Sequence, residues 1–72
     1  MPYYVIKNTK TGKYVQHTDY RYHPPHQKTV EDPLLAQIYA NKEMAELAFR
    51  ARKCGKAYKI VTLRAVKYEV IA

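Results

Sequence analysis

The apolar and polar positions of YYVIKNTKTGKYVQ form two β-type runs around a short polar gap, the pattern of a β-hairpin. Residues 3–6 and 13–16 are rich in aromatic and β-branched side chains, which pack well on a pleated surface. The polar stretch at 8–12 ends in Gly12, a residue free to take positive φ in a turn. Tyr3 and Val5 share one face of the first strand, Tyr4 and Ile6 the other. With both faces apolar, that strand is expected at the centre of a sheet or against something beyond it.

HTDYRYHPPHQKT, residues 17–29, shows neither helical nor strand periodicity. Pro24 and Pro25 cannot donate to a ladder and push His23 toward an extended conformation. The stretch is therefore expected to be one long loop with a polyproline-like centre.

Asp32-Pro33 is a helix-start signature, with a capping carboxylate ahead of a proline suited to the first helical position. That short turn is expected to break at Ala40-Asn41, where Asn41 caps a main helix over 42–53. Met44, Leu47, Ala48 and Ala51 recur at i, i+3, i+4 and i+7, with Ala45 and Phe49 widening the stripe. Glu43, Glu46, Arg50 and Lys53 take the other side, and Gly55 is the expected left-handed terminator. In YKIVTLRAVKYEVIA, Tyr58 and Ile60 share a face, then Val61, Leu63 and Ala65, then Val66, Tyr68 and Val70. The phase slips near Val61 and near Ala65-Val66, which predicts one long strand bent by β-bulges. The order β-β-α-β gives an α+β fold: a small antiparallel sheet with one main helix packed on one face. A long last strand with few partners leaves an edge through which a homodimer would form.

Seventy-two residues make one small domain, spanning 1–72, with a thin core of about 60% buried surface. Cys54 is the one cysteine, so no internal disulfide reinforces that core. Next to a helix end it reads as a small packed hydrophobe, although basic neighbours can lower a thiol pKa. No leader or membrane-spanning run is visible, which points to a reducing, cytoplasmic setting without membrane contact.

Charge changes the picture most. Thirteen Lys/Arg against six Asp/Glu give a net +7. Residues 1–36 hold five basic and three acidic side chains, and residues 37–72 hold eight and three. A domain this basic attracts polyanions, which favours nucleic acid or a nucleoprotein complex and excludes an acidic DNA mimic.

His17, His23, His26 and Asp19 have the composition of a zinc site, but the two prolines turn the flanking histidines apart, so no metal or other cofactor is expected. Tyr20 and Tyr22 either cover the end of the core or stack on bases beside Arg21 and Lys28. Arg50, Arg52, Lys53 and Lys56 crowd one helix end; the helix dipole accounts for one or two of these cations but leaves Lys56 and Lys59 without a local reason, so a polyanion-binding patch stands beside the purely local reading. The chain has no serine and no phosphate-cradling glycine loop, so no enzyme is expected.

The YYVI…TGKYV hairpin, the Ala36-x-Ile38-Tyr39 turn and the MAELAFRARK helix ahead of a β tail resemble, in layout, small accessory proteins of bacteriophages and prophages. That resemblance implies a binder acting on host defence or replication machinery. Two functions follow as expectations. One is a nucleic-acid or nucleoprotein binder using Arg21, Tyr22, Lys28, Arg50, Arg52, Lys53 and Lys56. The other is an inhibitor or adaptor docking on a host protein such as a defence nuclease.

Overall fold

The computed structural model describes residues 2–64. Four strands form one antiparallel sheet: β1 (Pro2–Asn8), β2 (Tyr14–Asp19), β3 (His26–Val30) and β4 (Tyr58–Arg64). Their order is β3-β2-β1-β4, and the one α-helix among the described residues, α1 (Lys42–Ala51), packs on one face. The fold is a small α+β domain, with β1 inside the sheet as its two apolar faces require.

The first hairpin closes through Asn8, whose side-chain oxygen accepts from the Lys10 and Thr11 amides, while Gly12 turns the chain at φ 76°. Asp32 accepts from the Leu34 amide and starts a separate 3-10 turn, Pro33–Leu35. Asn41 accepts from the Met44 amide and caps α1, so the chain does break between the two helical pieces. Between them Tyr39 bridges Tyr4: each amide donates to the other's carbonyl, at 2.8 and 2.9 Å. This wedge occupies β1 where β2 diverges, and it carries the Tyr39 ring into the core.

Several expectations are corrected. Residues 17–29 are not one irregular loop, because β2 runs on to Asp19 and β3 starts at His26. Only residues 20–25 turn, around a cis His23–Pro24 peptide. The strand period is hidden in the sequence because the inward positions Thr18 and Gln27 are polar and satisfied by hydrogen bonds.

The buried side of α1 is Ala45, Ala48 and Phe49, with Arg52 following, whereas Met44 and Leu47 are 51% and 59% exposed and Ala51 also faces solvent. Ile6, Tyr39 and Tyr58 supply bulk from the sheet side, so small residues let the helix approach. The helix also stops at Ala51, and its terminator is Lys53 at φ 53°, not Gly55. The Lys53 amide donates to the Arg50 carbonyl and the Cys54 amide to the Phe49 carbonyl, the paired bonds of a Schellman motif.

The last strand pairs with β1 without a break from Pro2↔Arg64 to Asn8↔Tyr58, so there is no bulge near Val61. Its phase slip reflects burial on both faces: Ile60 packs toward α1, and Leu63 is buried on the other side with Val5. The slip expected at Ala65-Val66 lies outside the described residues. Among the described residues β4 has a strand neighbour on one side only.

Candidate nucleic-acid interface

The far half of the β2–β3 hairpin leaves β1 and curls over the C-terminal end of α1. Gln27 Nε2 donates to the Arg52 carbonyl at 2.8 Å, and Arg52 Nη1 donates to Thr18 Oγ1 at 2.9 Å. This brings together the two segments singled out in the sequence. A cleft of about 470 Å³ forms between them, lined by Pro24, Pro25, His26 and Gln27 from the hairpin and Lys53, Gly55 and Tyr58 opposite. A second cleft of about 330 Å³ is lined by Glu46, Phe49, Arg50, Tyr58, Lys59 and Ile60. Tyr58 lines both.

The hairpin tip adds an aromatic platform. The Tyr22 ring lies flat on His26, with centroids 3.8 Å apart and planes within 1°. Tyr20 and Tyr22 are 55% and 46% exposed, so neither seals the core. Stacked rings beside a cationic cleft suit a ligand that has both flat faces and negative charge.

The seven residues expected from sequence divide. Tyr22, Arg50 and Lys53 border this surface, and Lys56 is exposed in the loop between Lys53 and Tyr58. Lys28 follows the inward-facing Gln27, so it projects from the outer face of the hairpin. The Arg21 side chain is held by Asp19, with Nη2 donating to Oδ2 at 2.7 Å and Nε to Oδ1 at 3.0 Å. That hydrogen-bonded guanidinium, followed by the Arg21 backbone amide, lowers the Asp19 carboxyl to about 2. Arg52 points inward to Thr18 and acts as a structural tie.

Lys59, noted in the sequence as a cation without a local reason, lines the second cleft, whereas His26 and Tyr58 were not expected at the site; only the curl of the hairpin places His26 near Tyr58. Comparison with protein-family models, curated proteins and solved structures finds no match. The surface is therefore read from its own chemistry.

Burial pushes the Cys54 thiol up, only partly offset by Arg52, so it stays protonated at neutral pH and packs against the core. Burial also raises the Tyr39 phenol, against a smaller pull from Arg52, and its hydroxyl makes no well-formed hydrogen bond. Among the described residues, no three His, Cys, Asp or Glu side chains are grouped to hold a metal ion. No helix there is long and apolar enough to cross a membrane.

Proposed function

We propose that this protein is a non-enzymatic nucleic-acid-binding module, acting on nucleic acid alone or within a nucleoprotein complex. One observation carries the reading: the hairpin tip and the basic end of α1 converge on Tyr58, with Lys53 beside one cleft and Arg50 and Lys59 beside the other. Glu46 on the second cleft offsets part of that charge, whereas Lys53 on the first cleft has no acidic side chain in the same lining, and Lys56 is exposed in the loop that follows it. The net +7 supplies long-range attraction.

Fluorescence anisotropy with labelled oligonucleotides over a salt series tests it. Binding at ~50 mM salt that weakens by roughly 0.7–0.9 log unit per log of salt for each phosphate contact is expected. Lys53→Ala should remove about one contact from that slope. No binding at ~50 mM salt overturns the reading.

A second reading has its own observation. Met44 and Leu47 present apolar surface on the outer side of α1, next to Glu43 and Glu46. That suits an inhibitor or adaptor docking on a host protein, the role that the resemblance in layout to phage accessory proteins would imply. A homodimer through β4 belongs to the same reading, and light scattering across a dilution series tests it. Capture of one host protein after nuclease treatment, lost in Leu47→Glu, would favour the second reading over the first.

A further inference from the structure

We infer that the ligand of this surface is an unpaired nucleic-acid strand, held by base stacking on the Tyr22–His26 pair with its phosphates toward Lys53 and Lys56. The inference rests on the nucleic-acid reading above and narrows it. Three features select an unpaired strand over a duplex.

The first is the platform. Two rings already parallel at 3.8 Å offer a flat apolar face, and Tyr22 is exposed at the tip of a hairpin. Base faces are covered by their neighbours in a duplex and are free only in an unpaired strand. The second is the helix. Groove-reading helices present a net basic surface outward, whereas the exposed positions of α1 set Glu43 and Glu46 against Lys42 and Arg50, leaving no net charge, and add Met44 and Leu47. Two carboxylates and two apolar side chains would meet duplex phosphates unfavourably, so α1 is unsuited to a major groove.

The third is shape. The cleft of about 470 Å³ beside the platform is an open hollow roomy enough for a nucleotide, with Tyr58 and Lys53 in its lining. His26 belongs both to the stack and to the cleft wall, so the platform and the cleft adjoin and one strand can span them. Arg21, held by Asp19, and Lys28, on the outer side of the hairpin, are not needed for this path. Stacking tolerates every base, so little sequence preference is expected.

The test uses the full chain and three labelled probes: oligothymidylate of about a dozen nucleotides, an abasic strand of equal length and charge, and a duplex of that length. The oligothymidylate should bind at least roughly tenfold tighter than the abasic strand. Tyr22→Ala should weaken oligothymidylate binding roughly 5- to 100-fold, leaving abasic-strand and duplex binding unchanged. Tyr22→Phe should keep the affinity, and Lys53→Ala should weaken all three probes. An unchanged melting temperature in Tyr22→Ala excludes a folding effect. Equal affinity for the abasic strand, or no effect of Tyr22→Ala, overturns the stacking inference while salt-dependent binding keeps the broader reading. Absence of binding to every probe overturns both.

Discussion

Arg52 donates from its guanidinium to the Thr18 hydroxyl at 2.9 Å, although 34 positions separate the two residues. Thr18 donates on to Gln27 Oε1 at 2.6 Å, and Gln27 Nε2 returns to the Arg52 carbonyl at 2.8 Å. The three bonds form a closed ring that ties the end of α1 to the β2–β3 hairpin. Thr18 is buried, so removing its partner leaves a polar group short of a bond. Arg52→Ala should therefore cost about 1–3 kcal/mol in urea melts. Arg50→Ala, at an exposed position, should stay within about 0.5 kcal/mol. Equal effects of the two changes would refute the structural role of Arg52.

Lys53 holds a φ of 53°, a conformation in which a β-carbon crowds the backbone. Glycine relieves that crowding, so Lys53→Gly should raise stability by about 0.5–1 kcal/mol. Gly55 has no such constraint, and a β-carbon there would meet nothing within 4 Å. Gly55→Ala should accordingly be neutral or stabilising by up to about 1 kcal/mol. Thermal denaturation of both variants checks the assignment. A loss of stability in Lys53→Gly together with a loss in Gly55→Ala would return the terminator to Gly55.

The sequence was most legible where a local rule acts alone. Asn41, Asp32 and Gly12 each satisfy neighbouring amides or supply one backbone angle, and each does so in the structure. Tyr4 and Ile6 with Tyr3 and Val5 likewise marked a strand inside a sheet. Legibility failed where a distant partner decides. Gln27 and Thr18 look like loop residues until Arg52 satisfies them, and Lys53 looks like a surface cation until it becomes the helix terminator. The candidate surface falls in the same class. Arg50 and Lys53 were visible as a charge cluster, but their meeting with His26 at Tyr58 depends on the curl of a hairpin that periodicity does not encode.

Acid should release the Asp19–Arg21 pair at a defined point. Asp19 titrates at about 2 because Arg21 donates to its ionised form, below the roughly 3.9 of an unfolded chain. Folding thus favours the carboxylate, and between those values the unfolded state binds more protons. The pair's contribution is complete above pH ~4 and is lost as pH falls through the folded value. Both side chains meet solvent, so salt should screen the effect. Carbon NMR should place the Asp19 carboxyl midpoint near 2, rising only part of the way toward ~4 in Arg21→Ala, whose backbone amide still donates to the carboxylate. An unmoved midpoint in that variant would show that the guanidinium is not the cause.

The facing of α1 gives the sharpest contrast between sequence pattern and structure. Ala45 is 0% exposed among Ile6, Val15 and Tyr39, whereas Leu47, two positions on, lies mostly in solvent. Leu47→Gln removes little buried apolar surface and should change stability by no more than about 0.5 kcal/mol. Ala45→Leu forces three extra carbons into a packed site and should cost about 1–3 kcal/mol. The opposite ranking would mean that the helix is turned with Met44 and Leu47 toward the sheet. It would also return Glu43 and Glu46 to new positions and remove the argument that the outer face of α1 is unsuited to a DNA groove. The pair of variants therefore checks the packing and one premise of the unpaired-strand inference, with denaturant melts as the only readout required.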